Sequence, residues 1–164
     1  MKTIILALTI LAGGLSAAGA HDARVPSSGQ TPGFVLSVPD DWNSQSNPEG
    51  NYLTAAAPDH SAAIVTTFDA VSATPDEYAN VQFNAAKGVS LVKGAPVTIN
   101  GFSGFSYTFD INGQPRVLNV RMIVLKLGGR SIGSCSIITT QGERDVDKAA
   151  GNAVWSSLRV VTKP

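Results

Sequence analysis

The sequence predicts an α+β domain in which an antiparallel sheet of about six strands is flanked by two main helices, an α/β/α sandwich. Three observations carry this expectation. Apolar residues alternate in "GFVLSVP", "GFSYTFDI" and "RVLNVRMIVLKL", the period of a strand. The stretch "TPDEYANVQFNAAKGVSLV" has the start signals and spacing of a capped amphipathic helix. Near the end, "ERDVDKAAGNAVWSSLRVV" offers a second helical stripe. The 164 residues are 43% hydrophobic, enough for one domain with its own core.

The first twenty residues read as a signal peptide. Lys2 is their only charge, the apolar run Ile4 to Leu11 follows, and Ala18-Gly19-Ala20 is an Ala-x-Ala ending. The apolar run is shorter than the roughly 20 residues a spanning helix needs. We expect cleavage after Ala20, with Ala18 as the alternative point that would leave no amino-terminal histidine, and an exported protein, periplasmic or extracellular, with three segments: signal peptide 1–20, flexible leader 21–32 and a single domain 33–162. The leader reading rests on its Pro, Ser, Gly and Gln content.

Within the domain, Phe34, Leu36 and Val38 alternate in a strand closed by Pro39. "PDDWNSQSNPEGN" reads as a polar loop, and "YLTAAAP" and "AAIVTTFDA" as further strands, so the first three strands suggest an antiparallel meander. Thr74 is placed as an N-cap, with Pro75 at the first helical position and Glu77 three residues after the cap, a capping box. Tyr78, Val81, Ala85 and Val89 form its expected apolar face, and Lys87-Gly88 or Lys93-Gly94 its end. Phe105, Tyr107, Phe109 and Ile111 then point one way along a strand, Asn112-Gly113 turns the chain, and Leu118, Val120, Met122 and Val124 oppose Ile123 and Leu125 on the return. Gly128-Gly129 turns into "RSIGSCSIITT". Apolar residues on both faces require cover on both sides. The last helix is expected to present Val146, Ala150, Ala153, Val154, Ser157 and Leu158.

This element order, with "VPDDW" after the first strand and "WSSLRV" closing the chain, resembles the PsbP-like and DcrB-like family of small sandwich domains. Pro39 and Trp42 match the proline and tryptophan after the first strand, and Ser157-Leu158 the end of the last helix, over about Gly33 to Val161. The resemblance implies an exported or lumenal non-enzyme, an accessory subunit or binding module, with no catalytic residues to carry over.

Charge sets further limits. Twelve Lys and Arg balance twelve Asp and Glu, and without basic clusters neither nucleic acid nor an anionic membrane surface is an expected partner. Cys135 has no second cysteine to pair with and is expected to be a buried small hydrophobe. "GRSIG" satisfies Gly-x-Ser-x-Gly, but Ser131 opens a strand after a glycine turn, whereas the hydrolase motif needs a strand-to-helix elbow. Asp40 and Asp41 read as a solvated turn. A histidine at a new amino terminus offers its amine and imidazole as copper donors, so His21 with His60 is the one candidate metal pair, requiring the leader to fold back. Trp42 is expected to anchor the core.

The functional expectation is an envelope accessory or binding module without catalytic activity or cofactor, recognising a protein or small ligand through its loops. Asp41, Asn43 and Gln45, in the polar loop Asp40 to Asn51, are the expected partner contacts. The alternative is a metal-dependent enzyme using His21 and His60, or a hydrolytic one.

Overall fold

The computed structural model describes residues 19–26, 32–85, 89, 94–112, 117–140 and 145–162. The signal-peptide stretch through residue 18, the leader from 27 to 31, the helix end expected at Lys87-Gly88 or Lys93, and Gly113 of the expected turn lie outside the described residues.

The elements in chain order are β1 (Ala20–Val25), β2 (Gly33–Pro39), β3 (Asn43–Ser46), β4 (Tyr52–Ala56), β5 (Ala62–Ala70), α1 (Pro75–Ala85), β6 (Ala95–Ile99), β7 (Phe102–Asn112), β8 (Val117–Gly128), β9 (Ser131–Thr140), α2 (Asp145–Ser156) and β10 (Arg159–Val161). They form two antiparallel sheets: β1-β2-β10, and a seven-stranded sheet ordered β3-β4-β5-β9-β8-β7-β6. The fold is thus a sheet-dominated α+β structure, and the expectation of one sheet of about six strands is corrected by it.

Most of the difference lies in short strands. The first part of the expected flexible leader is β1, in register with β2 from Ala20↔Pro39 to Val25↔Phe34. β2 leaves the expected meander to join the small sheet, because its residues Phe34, Val35, Leu36 and Val38 are buried on both faces. The expected loop Asp40 to Asn51 contains β3, which takes β2's place beside β4.

The long strands follow the alternation of the sequence. Phe105, Tyr107 and Phe109 pair with Val124, Met122 and Val120, so all six share one face. α1 packs there, with Tyr78, Ala79 and Phe83 against Tyr107, Met122, Val124 and Ile132. The Phe83 ring sits edge-on to Tyr107 and Phe109 at 5.1 and 4.8 Å. The expected apolar stripe is corrected here: Val81 is 66% exposed, because it lies about 200° around the helix from the buried Ala79. The capping box forms as expected, with Thr74 N donating to Glu77 Oε2 at 2.8 Å and Glu77 N to Thr74 Oγ1 at 3.2 Å. Thr74 N, and next the Thr74 hydroxyl at 2.9 Å, donate to the Glu77 carboxylate and hold it below its ordinary value.

The opposite face is sealed by the small sheet and α2. Val25, Leu36 and Val38 meet Leu53, Ala55, Ile64, Cys135 and Ile137, while Phe34 and Val160 meet Ile123, Leu125 and Leu127. Val154 of α2 joins this core, whereas Ala153 faces solvent against expectation. Gly151 lets α2 approach: a Cβ there would lie 3.0 Å from Ile137 Cδ1. Ser157 ends the helix by accepting from Ser37 N at 2.8 Å while donating to Val154 O, which ties α2 to β2. No helix among the described residues is long and apolar enough to cross a membrane.

Candidate functional site

β3 is an edge strand, and its four residues Asn43, Ser44, Gln45 and Ser46 are all exposed and uncharged. Both of its ends are fixed. Before it, Trp42 is 6% exposed and packed in the sealed core, with its N–H donating to Pro39 O at 3.0 Å. After it, Asn47 Oδ1 accepts from Asn51 N at 3.1 Å and Tyr52 N at 3.0 Å, and its amide donates to Asn51 Oδ1 and Glu49 Oε2. Asp41 stands exposed in the preceding turn. Asp41, Asn43 and Gln45 are therefore brought together on one rigid segment, although as a turn and an edge strand rather than as a loop. The other edge, β6, carries Pro96, which has no N–H to offer a further strand. β3 has neither proline nor charge to guard its outward backbone groups.

The histidines are placed apart from any assembled centre. His21 lies on β1, its Nδ1 2.9 Å from Asp40 Oδ1, and both side chains are half exposed. His60 is exposed in the β4–β5 turn at φ 60, with its N–H donating to Ala57 O. Among the described residues no group of three or more His, Cys, Asp or Glu is arranged to hold a metal ion. His21 does not reach forward from a loose leader, because its segment is paired along β2.

The hydrolase-like match is a hairpin. Gly128 and Gly129, at φ 110 and 51, turn β8 into β9, and Ser131 pairs with Ala70 on the neighbouring strand. Gly133 serves packing: a Cβ there would fall 2.4 Å from the Phe34 ring. Cys135 is fully buried, and burial pushes its thiol up to about 12, with Thr66 Oγ1 donating to the sulfur at 3.5 Å.

A second feature escaped the sequence. On the α1 face, a cavity of about 200 Å³ is lined by Phe83, Phe109, Val120 and Met122 and by the polar residues Thr67, Tyr78, Gln82, Ser134 and Ser136. Tyr78 OH donates to Asp69 Oδ2, Thr67 Oγ1 lies 3.2 Å from Tyr78 OH, and Thr67 Oγ1 lies 2.7 Å from Ser134 Oγ. Burial, then the Asp69 bond, raise the Tyr78 phenol above its ordinary value, so it stays a donor. The sequence signal was Thr67 and Ser134, two hydroxyl residues in strands of mixed polarity, legible only once β5 and β9 are known to be in register.

No protein-family model matches the sequence, and a search of curated proteins finds no match. Solved structures do match. Cyanobacterial PsbP (CyanoP) from Synechocystis superposes with a TM-score of 0.62 at 12% identity, over 91% of this chain and 96% of that one. LpqN, described as involved in cell envelope biogenesis of Mycobacterium tuberculosis, superposes with a TM-score of 0.55 at 15% identity, over 88% of this chain and 92% of its own. Identities this low speak to architecture alone. Taken with the two packed antiparallel sheets and the helix on each side of the larger one, these superpositions show that the chain has the PsbP-like fold.

Proposed function

We propose that this protein is an exported accessory module of the cell envelope that works by binding a protein partner, without catalysis, through Asp41, Asn43 and Gln45. The observation that carries the reading is β3: a short, uncharged, fully exposed edge strand held rigid between a buried tryptophan and an asparagine-braced turn. Such an edge offers backbone donors and acceptors together with amide side chains, the groups that recognise an extended segment of another protein.

The remaining chemistry-bearing groups support a non-catalytic reading. Cys135 is buried with a raised pKa, Ser131 sits in a hairpin, and His21 is bonded to Asp40 at the surface. Export rests on Lys2, the apolar run and Ala18-Gly19-Ala20, and the envelope role of the structurally similar LpqN is in keeping with it. Intact mass of the released protein tests export: a start at His21 agrees, and a chain retaining Met1 speaks against it.

The partner surface is tested by a photo-crosslinking residue at Gln45 in the cells that make the protein, with the same residue at Thr98 on β6 as control. A discrete adduct from position 45 that is missing from position 98 supports the reading. Equal adducts from both edges, or none from position 45, contradict it.

A further inference from the structure

Charge is balanced over the chain but not along it. From residue 25 to residue 86 the sequence holds seven Asp and Glu and no Lys or Arg, whereas from 87 to 164 it holds ten Lys and Arg against four Asp and Glu, a formal −7 against +6. The larger sheet keeps the two runs apart. β3, β4 and β5 come from the acidic run and lie side by side, and β9, β8, β7 and β6 come from the other. The boundary is the pairing of β5 with β9. In strand order, the bare edge β3 is therefore as far from the basic run as this sheet allows.

Exposed carboxylates stand at both ends of β3: Asp41 precedes it by two residues and Glu49 follows it by three. The nearest Lys or Arg along the chain are Arg24 and Lys87. Between the two carboxylates the four strand residues are uncharged, and alternate ones turn their N–H and C=O away from β4. A strand added there gains ladder hydrogen bonds. Lysines often guard such an edge against any further strand. Here the flanking charges are acidic and lie outside the strand, so they sort arriving segments by charge. A second copy of β3 would bring its own Asp41 and Glu49, like charge against like, and an acidic segment would do the same. Basic residues at the ends of an extended segment would meet opposite charges in a field that no Lys or Arg of β3, β4 or β5 offsets.

We propose that β3 accepts, as an added strand, an extended segment of a protein partner whose uncharged core matches the four residues of β3 and is flanked by Lys or Arg. The proposal rests on the reading of β3 as the partner surface and adds the chemistry of what binds there. The backbone of β3 holds the core, and Asp41 and Glu49 select its flanks.

Four peptides with blocked termini test it, each titrated into the full chain and followed by amide chemical shifts. Three share the core Thr-Val-Thr-Val and carry lysine, glutamine or glutamate at both ends. The fourth is lysine-flanked with a core of four prolines, which has no N–H to give to a ladder. The lysine-flanked Thr-Val peptide is expected to shift the amides of Asn43 to Ser46. At low salt it should bind about three- to tenfold more tightly than the glutamine-flanked one, the effect of two exposed ion pairs, with the glutamate-flanked one weakest. The advantage should shrink as ionic strength rises from about 0.01 to about 0.15 M and the Debye length falls to about 8 Å. In the double variant Asp41→Asn, Glu49→Gln it should fall to within about twofold, and in Asp41→Lys, Glu49→Lys the glutamate-flanked peptide should bind best. Equal binding of the three Thr-Val peptides to the wild type overturns the proposal. So does a lysine preference that is unchanged in Asp41→Asn, Glu49→Gln, or a proline peptide that shifts β3 as strongly as the Thr-Val one, which would be cations gathering on an acidic surface with no strand added. No shift at β3 from any peptide overturns it as well. The partner surface itself is judged by the adduct from position 45, so the two readings fail separately; Asp41→Asn, Glu49→Gln decides if Asp41→Lys, Glu49→Lys does not fold.

Discussion

On the face of the seven-stranded sheet that carries Ile64, Cys135 and Ile137, the small sheet and α2 meet as a continuous cover, and these side chains are at most 1% exposed. On the opposite face α1 is, among the described residues, the one helix across β7 and β8, and Val65, Ser136 and Ile138 beside it stay half-buried along the cavity. The same strands build both faces. A strand must place alternate residues on each side, so the sequence of β9 reads serine, serine, isoleucine (134, 136, 138) on the open face and cysteine, isoleucine (135, 137) on the sealed one. The lesson is one of packing: the sealed side is the more completely buried, and it is the bare edge that the proposed reading uses for recognition.

The strongest way to break the sealed side is Trp42→Ala. The indole is buried against the core that joins the two sheets, and the variant should lose about 3–5 kcal/mol in denaturant unfolding. A wild-type unfolding midpoint with loss of partner capture would instead make the tryptophan a contact residue.

Alkali should act on both faces. Cys135 is pushed up to about 12 by burial, and Tyr78 and Tyr107 are raised above their ordinary values by burial and then by their bonds to Asp69 and Asp76. Each folded-state pKa lies above its unfolded value. The stabilisation is therefore complete below pH 9 for the thiol and below pH 10 for the phenols, whose ordinary values these are, and is lost as pH rises through the folded values. Stability measured against pH should fall above pH 9, and Cys135→Ala should remove part of the slope. A thiol reagent at neutral pH should label the native protein no faster than it unfolds.

A smaller change is confined to the open side. Thr74→Ala removes the acceptor for Glu77 N and the hydroxyl bonded to Glu77 Oε2, and should cost about 1 kcal/mol. Amide exchange should quicken in α1 and leave α2 unchanged. An equal quickening of both helices would mean that the two covers are not independent.

Where burial and local chemistry coincide, the fold was legible in the sequence. The alternation of β7 and β8, the capping box at Thr74 and Glu77, the buried Cys135 and the core position of Trp42 each follow from patterns within a dozen residues. β1, β3, β6 and β10 were not legible, for different reasons. β3 is all polar, β6 holds a proline, β10 has three residues, and β1 has an exposed first half. Their strand character comes from a neighbour's unpaired backbone, which no local window contains. The same holds for the hydroxyl chain. Thr67 and Ser134 meet because β5 and β9 pair in register 67 residues apart, so neither residue announces the other. Of the candidate residues, Asp41, Asn43 and Gln45 were legible as exposed and polar, but that Asn43 and Gln45 lie on an edge strand appears only with β4 beside them.

The central claim is that recognition at the edge is separable from the stability of the sealed core. Its most direct measurement is the triple variant Asp41→Ala, Asn43→Ala, Gln45→Ala, read in parallel for unfolding and for crosslinked capture of the proposed partner from a photo-crosslinking residue at Ser44. The account predicts a stability change within about 0.5 kcal/mol of wild type, the usual range for exposed substitutions, together with loss of the adduct. A triple variant that captures the partner as well as wild type does, or that loses it only because the domain has unfolded, contradicts the claim.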